Sequence, residues 1–382
     1  MRISRIAKVA ASALALVLVA ATPAYAANYS GSGASFPANL IEACKAGFAA
    51  SGSDTYSYAS SSSGTGQKNS DTQLGDFWMS DSPYTAATRR ATLIHVPLVA
   101  APIAILHNLP GTKTLQLSAA TVAGIFGGTI TMWNDPLIAA DNNRTTTSVV
   151  YKKDKSGNPV KDAAGKLVVL KTKSTTAHYT LPNKKISVIY RNDSSGTNDN
   201  FTKYLYKSAP TIWTKANSKV FTTSFPGDIN SATNRGRITG AASSTNVSSQ
   251  AARTPYSITY AEVNYAAANN LKVASLINPA DKVVAPDAVG VGAFLASATQ
   301  DANGYLTYNY TTKEPGAYPL GIVSYMLADT AYAKKATAAA VKAIATYILS
   351  PACSQVVGAK LGFSVIDGAL KAKALAQIAK IG

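Results

Sequence analysis

The sequence is poor in the side chains that most often bind transition metals. Its 382 residues include two cysteines and three histidines. The histidines, His95, His107 and His178, are scattered along the chain without metal-ligand spacing, so neither a metal site nor a cofactor is expected. Cys44 and Cys353 lie in helix-like segments near opposite ends of the chain. One disulfide and two unpaired buried thiols both remain open, because sequence positions alone carry no geometry.

Acidic residues are also scarce. The chain has 36 lysines and arginines against 19 aspartates and glutamates, for a formal charge of +17. This excess favours anionic partners in general. By itself it does not separate a small anion from nucleic acid or an anionic envelope surface.

The N-terminal apolar run is too short to span a membrane. Three basic residues precede Val9–Ala21, which gives way to the small residues of Thr22–Ala26. This is the pattern of a secretory signal peptide cleaved after Ala26, and a membrane-spanning helix needs roughly 20 apolar residues. No cysteine follows the cleavage site to carry a lipid anchor. Residues 1–26 are therefore predicted to direct export, leaving a chain of formal charge +14 in the periplasm or in the medium.

The remaining 356 residues exceed the usual size of one hydrophobic core, so two lobes are expected. Strand-like runs, such as Leu93–Leu106 and Ile186–Tyr190, alternate with helix-like segments, which predicts an α/β fold with mostly parallel sheets. The predicted helices are Asn39–Ala50, Ala119–Phe126, Asn200–Lys207 and Ala333–Leu349. Residues 142–178 interrupt the alternation. They are rich in Lys, Thr, Asp and Gly, and are predicted to be an exposed insertion with a β-hairpin or flap.

Four segments share one pattern, in which a strand-like run leads through small hydroxyl or acidic residues to a predicted helix start. They are Gly31–Pro37, in which Ser35 can cap the helix, Ser60–Gly66, Ser80–Pro83, which precedes a helix-like stretch to Thr92, and Arg191–Thr197. The N-terminus of a helix attracts anions through its dipole and its free N–H groups. Taken singly, such a segment is more often a plain helix cap. The four together predict an anion site.

Two charged residues make that prediction more specific. Arg191 offers a permanently charged fork for a tetrahedral oxyanion, or it forms a salt bridge to Asp193, and the two are compatible because the carboxylate could hold the guanidinium in place. Asp81 is either a helix cap or a ligand-facing carboxylate. A carboxylate repels an anion unless that anion carries a proton to donate, as hydrogen phosphate does and sulfate does not.

These same residues resemble the periplasmic phosphate-binding proteins of bacterial high-affinity phosphate ABC importers. The resemblance runs in order along most of the chain, through residues 31–37, 62–64, 80–83, 108–111, 125–128, 133–136, 191–197, 258–263, 318–320 and 361–363. The chain departs from the family pattern in the insertion at 142–178. It also departs at Ser243–Ser249, where the glycines of the family are missing.

The resemblance implies a two-lobed α/β clamp that closes on its ligand by a hinge motion. Lobe I would contain residues 27–107 and about 316–382, and lobe II residues 108–315. The implied phosphate contacts are Ser35, Phe36, Ser62, Asp81, Arg191, Ser195, Gly196 and Thr197. Asp193 would brace the arginine. The implied partners are inorganic phosphate and the membrane permease of the importer, with no nucleic acid, and the protein is expected to be a monomer.

Three alternatives remain beside this prediction. Arsenate, a phosphonate or an organic phosphate would use much of the same set of contacts. A secreted phosphohydrolase would need a metal cluster or an activated nucleophile with a base nearby, and no histidine occurs in a triad context, so the protein is not expected to be an enzyme. A secreted adhesive or matrix protein would draw on the basic charge and the insertion.

Overall fold

The computed structural model describes residues 26–382 except for 53, 88, 112, 302 and 303. The predicted signal peptide lies outside this range apart from Ala26. The strands are β1 (Asn28–Ala34), β2 (Thr55–Ser61), β3 (Phe77–Ser80), β4 (Leu93–His107), β5 (Gln116–Ser118), β6 (Thr145–Tyr151), β7 (Val169–Thr176), β8 (Ser187–Arg191), β9 (Ile238–Ala241), β10 (Ser257–Glu262), β11 (Lys272–Ile277), β12 (Val283–Val284), β13 (Thr299–Gln300), β14 (Leu306–Thr307) and β15 (Gly321–Asp329).

The α-helices are α1 (Ala38–Ser51), α2 (Ser63–Asp71), α3 (Ala119–Phe126), α4 (Pro136–Asn142), α5 (Gly196–Ser208), α6 (Phe221–Ser224), α7 (Ser243–Arg253), α8 (Asn264–Ala268), α9 (Ala288–Leu295), α10 (Lys335–Ile348) and α11 (Gly368–Ala379). A π-helical segment, Pro351–Val357, and a 3₁₀ turn, Gly358–Leu361, follow α10. The α/β class is confirmed, and the four predicted helices correspond to α1, α3, α5 and α10.

Eleven strands form one mixed sheet, so the expectation of mostly parallel pairing is wrong. Its main path runs β2-β1-β3-β15-β4-β10-β8-β9. The two ends of this path are parallel, but the middle strands β15, β4 and β10 pair antiparallel. The long apolar strand β4 runs through the centre, and its neighbours on both sides run against it. The apolar run at 93–106 predicts burial, not strand direction.

β4 connects two groups of strands. Its first part, up to Pro102, pairs with β15, which in turn pairs with β3. Its last part pairs with β10 at residues 103–107 and with β11 at residues 105–107, on opposite edges. All but one of its 15 residues are buried. The predicted lobe boundary, after His107, therefore falls where β4 ends, five residues after its pairing changes from one group to the other.

The two cysteines form a disulfide, which is one of the two alternatives left open by the sequence. Cys44 in α1 and Cys353 in the π-helical segment have Cα atoms 5.5 Å apart and are separated by 309 residues in sequence. Both are buried in the main core. The helical run Lys335–Leu361 has the length and apolar composition of a membrane span. Its apolar face is packed in the core, where Val341, Ile344 and Ile348 are fully buried.

The segment 142–178 contains β6 and β7, which pair antiparallel from Thr145–Thr176 to Tyr151–Val169. All eight residues of β7 are exposed. Between the two strands the chain makes two tight turns, at Gly157 and Gly165, which both have positive φ. Lys161 reaches Asp367, which belongs to the part of the chain predicted as lobe I, with an Nζ–Oδ2 distance of 2.6 Å.

Candidate anion-binding site

Arg191, the last residue of β8, is a buried charge held in a fixed orientation. Its side chain is 1% exposed, and its Nε and Nη2 atoms donate to the two carboxylate oxygens of Asp193, at 2.7 and 2.6 Å. The expected ion pair between Arg191 and Asp193 is therefore present. Asn198 donates from Nδ2 to the Arg191 carbonyl at 2.7 Å, and Tyr260 hydrogen-bonds both Asn198 Oδ1 and the Arg191 backbone N–H. Two of the three guanidinium nitrogens are occupied by Asp193, which leaves Nη1 for other partners.

The loop after Arg191 leads into α5, and the N-terminus of this helix lies close to the other group of strands. Ser195 caps the helix, since its Oγ accepts from the N–H groups of Thr197 and Asn198 at 3.1 and 3.3 Å. Residue 196 is glycine because its surroundings leave no room for a side chain. A Cβ there would lie 2.4 Å from Ser63 Oγ and 2.8 Å from Asp81 Cβ. The N-terminus of α5 thus meets residues 63 and 81 directly.

α2 begins opposite α5. Ser62 is 4% exposed and caps α2 by accepting from the Thr65 N–H at 3.1 Å. The N–H of Gly64 donates to the carbonyl of Ser194 at 2.8 Å, and a Cβ on Gly64 would lie 2.4 Å from Ser194 Oγ. Two helix N-termini from different parts of the chain therefore face each other, and the positive ends of their dipoles are close together.

Asp81 is buried between the two helix starts. Its Oδ1 accepts from Ser324 Oγ at 2.8 Å, while its Oδ2 has longer contacts of 3.4 Å to the hydroxyls of Ser63 and Thr197. Burial raises the pKa of Asp81 to about 6, against the opposing effects of the Ser324 hydrogen bond and the Arg191 charge. At neutral pH this is a buried carboxylate whose Oδ2 has acceptor capacity left.

Two expectations about helix caps are wrong. No helix follows Pro83 in the described residues up to Thr92, so Asp81 is not a helix cap. Pro83 is instead followed by turns and extended chain. Ser35 does not cap α1 with its side chain either. Its Oγ accepts from the backbone N–H of Ser244 at 3.2 Å and lies 3.2 Å from Ser244 Oγ. Instead of capping helices, Ser35 and Asp81 contact residues that are distant in sequence.

Phe36 follows Ser35 and fixes the start of α1. Its ring is 1% exposed and packs edge-on against Phe363, with ring centroids 6.4 Å apart. The ring therefore points into the core, which leaves the backbone of Phe36 as the group that can contact a ligand. Taken together, the residues predicted for the site converge on one buried region where the two strand groups meet.

Comparison with known proteins identifies the family. The PBP superfamily domain matches residues 19–352. Phosphate-binding protein PstS 3 of Mycobacterium tuberculosis is 31% identical over 302 residues, which cover 76% of this chain and 69% of that protein. The chain belongs to the PstS phosphate-binding proteins of the PBP superfamily. PstS of Pasteurella multocida is 28% identical over 306 residues, with 79% and 76% covered.

Solved structures agree with the PstS fold. A phosphate-binding protein from Stenotrophomonas maltophilia superposes with a TM-score of 0.62 at 19% identity, covering 92% of this chain and 94% of that one. A DING protein gives a TM-score of 0.66 at 21% identity, covering 91% and 93%. These identities establish the two-lobed fold alone.

Several residues of this PstS chain reach the site without having been predicted. Ser63 and Ser324 hydrogen-bond Asp81, and Asn200 donates to the Asp81 carbonyl at 2.6 Å. Ser244 and Glu262 join the network around Arg191. Ser63 lies inside the segment Ser60–Gly66, next to the predicted contact Ser62. The available signal for Glu262 is a carboxylate in a strand that is otherwise uncharged and fully buried, where a buried charge needs a reason.

Proposed function

We propose that this PstS-family protein captures inorganic phosphate in the cleft between its two lobes and delivers it to an ABC importer. The observation that supports this most directly is the pairing of opposite charges at the facing helix starts. Arg191 supplies a fixed positive charge, and Asp81 supplies a buried acceptor whose Oδ2 has only 3.4 Å contacts. A ligand that needs both is an oxyanion that still carries a proton.

The phosphate contacts are proposed on both sides of the cleft. Lobe I, residues 27–107 and about 316–382, would contribute Ser35, the backbone of Phe36, Ser62 and Asp81. Lobe II, residues 108–315, would contribute Arg191, Ser195, Gly196 and Thr197, with Asp193 as the brace of the arginine. Direct contacts between the two proposed lobes, such as Gly64 N–H to the Ser194 carbonyl and the Thr197 hydroxyl to Asp81, support a closed form with the lobes together. Phosphate would stabilise that form by bridging the lobes.

Delivery of phosphate rests on the family. PstS relatives are phosphate-binding proteins by name, and one neighbour is described as a putative phosphate ABC transporter substrate-binding protein with bound phosphate from Clostridium perfringens. We propose the membrane permease of such an importer as the partner, an extracytoplasmic location, a monomeric state and no role for nucleic acid. We propose no catalytic activity, since the Ser195 hydroxyl accepts from two backbone N–H groups, which is the geometry of a helix cap.

Isothermal titration of the purified protein with phosphate, arsenate and sulfate tests this function. Phosphate and arsenate are expected to bind at pH 7.5, because both carry a proton for Asp81, and sulfate is expected to bind far more weakly. Equal affinity for sulfate would contradict the role of Asp81. Absence of phosphate binding would contradict the function as a whole.

A further inference from the structure

Ser244, the second residue of α7, is the point where both lobes and the arginine meet. Its side chain is fully buried. Nη1 of Arg191, the nitrogen that Asp193 leaves free, donates to Ser244 Oγ at 3.3 Å. Ser244 Oγ also lies 3.2 Å from Ser35 Oγ, and its backbone N–H donates to the same Ser35 oxygen. One serine therefore contacts the anion-site arginine of lobe II and the first predicted contact of lobe I.

The hydroxyl hydrogen of Ser244 goes to Glu262, since Ser35 Oγ, the other oxygen within reach, already accepts from the Ser244 backbone N–H. Ser244 Oγ donates to Glu262 Oε1 at 3.1 Å. A serine hydroxyl offers one donor and two acceptor positions. The acceptor positions are filled by Arg191 Nη1 and the Ser35 hydroxyl, so the bond to Glu262 fixes the rotation of the Ser244 side chain. Its loss would free the hydroxyl that both partners use.

Glu262 ends β10 in an environment that disfavours its charge. It is 1% exposed, and its Oε2 has no hydrogen-bond partner in the described part of the chain. The ionisable groups that act on it are Arg191, Asp81 and, on α8, Tyr265. Burial raises the pKa of Glu262 to about 8, against the smaller opposing effects of its own backbone N–H, the Arg191 charge and the Ser244 hydrogen bond. An unpaired carboxylate oxygen in such a place is costly, whereas a protonated one is tolerated.

The protonation state of Glu262 sets how many negative charges surround Arg191, and this number affects the binding of an anion. With Glu262 neutral, the positive charge of Arg191 faces two carboxylates, Asp193 and Asp81. With Glu262 ionised, it faces three. Each added negative charge at this depth repels a bound anion, since screening by water is weak in the interior. Phosphate binding would then favour the neutral form of Glu262.

We propose that Glu262 and Ser244 form a positioning pair, in which the neutral carboxyl of Glu262 holds the Ser244 hydroxyl between Arg191 and Ser35. This inference rests on the proposed function, because it assigns the pair a role in phosphate binding. Neither residue needs to touch the ligand. Glu262 holds the Ser244 hydroxyl in place, and its ionisation lowers phosphate affinity at alkaline pH by adding a negative charge beside Arg191.

The test compares phosphate titrations of the wild type and Glu262→Gln at pH 7 and pH 9. The amide keeps the shape and the acceptor oxygen but does not ionise. Affinities within about threefold are expected at pH 7. At pH 9 the wild type is expected to lose about tenfold relative to the variant, the ratio of ionised to neutral carboxyl one pH unit above the pKa. Comparing two proteins at each pH cancels the titration of phosphate itself.

A second variant separates this role from general packing. Ser244→Ala is expected to weaken phosphate binding at least tenfold at both pH values. The control is Ser248→Ala, which removes another buried hydroxyl of α7, one that donates to the Ser244 carbonyl at 2.7 Å. It is expected to bind like the wild type. Equal losses in the two serine variants would reduce Ser244 to a packing role and overturn the proposal.

Calorimetry of the wild-type protein in buffers of different ionisation enthalpy tests the same proposal without any variant. At pH 9 binding is expected to take up close to one proton per phosphate, because Glu262 must be neutral in the complex. Binding without proton uptake, or parallel pH profiles for the wild type and Glu262→Gln, overturns the pair and leaves the proposed function standing. A wild type that binds no phosphate overturns both.

Discussion

The anion site and the segment 142–178 carry charge in opposite ways. In the site, Arg191 is 1% exposed and makes two hydrogen bonds to one carboxylate. The segment has eight basic and two acidic residues, and every residue of β7 is exposed. Burial forces each charge to have a partner, because an unpaired buried charge costs several kcal/mol. Exposed charges need none, so composition alone says little about what they do.

Replacement of the buried charge is expected to have the largest effect. Arg191→Ala removes the positive charge and leaves Asp193 and Asp81 unbalanced, so phosphate affinity should fall by about a hundredfold or more, as for other buried charge partners. The matched control is Lys171→Ala in β7, which should change affinity by less than twofold. Similar effects from the two variants in isothermal titration would break the contrast between the regions.

Asp81→Asn is expected to change selectivity more than affinity. The amide can donate to an unprotonated oxyanion, so the preference for phosphate over sulfate should narrow by about tenfold. The same change should follow from pH in the wild type. The pKa of Asp81 is about 6, so the carboxylate predominates above that pH and the neutral acid below it. Sulfate should therefore compete better at pH 5 than at pH 7.5. A selectivity unaffected by both changes would reduce Asp81 to a structural role.

The close approach at α5 is expected to give a smaller effect. Gly196→Ala would place a Cβ 2.4 Å from Ser63 Oγ, forcing the two helix starts apart, and phosphate should bind roughly fivefold to tenfold more weakly for a shift costing about 1–1.4 kcal/mol. Gly292→Ala in α9 is the control, because a Cβ there meets nothing within 4 Å. If Gly196→Ala bound phosphate normally, the lobes would not need to be this close.

The smallest effect is expected from the segment 142–178. Joining Lys152 to Val168 through an Asn-Gly turn in place of residues 153–167 keeps β6 and β7 paired. It removes two ion pairs, Lys161–Asp367, whose partners are 44% and 60% exposed, and Lys166–Glu314, whose partners are 64% and 15% exposed. Such a surface pair contributes about 0–1 kcal/mol, so phosphate affinity should change by less than about fivefold. Lys161→Ala isolates the Lys161–Asp367 pair, and a large loss in either variant would show that the segment takes part in closure.

The local parts of the site could be predicted from the sequence. Ser62 and Ser195 cap their helices, and Arg191 pairs with Asp193, because each of these contacts spans three residues or fewer. Ser35 failed as a cap for the opposite reason. Its partner is Ser244, 209 residues away, and no local rule reaches that far. Asp81 likewise accepts a hydrogen bond from Ser324 on β15, which is 243 residues away in sequence.

The same division applies to the fold. Helix positions follow from periodicity and propensity, which are local, and α3 begins and ends where predicted. Strand direction depends on which neighbours a strand finds, and β4 pairs with strands about 150 to more than 200 residues away. The helix expected after Pro83 was wrong because a capping pattern is common in turns as well.

The Cys44–Cys353 bond has a consequence for chain cleavage. It encloses strands β2 to β15, the segment 142–178 and the anion-site residues from Ser62 to Thr197 within one covalent ring, while β1, Ser35 and Phe36 precede Cys44. A protease that cuts the exposed turn at Gly157 opens this ring but releases no fragment. The two pieces would run as a single species under oxidising conditions and separate only when a reductant is added. A nicked molecule can thus retain both halves of the cleft in one particle.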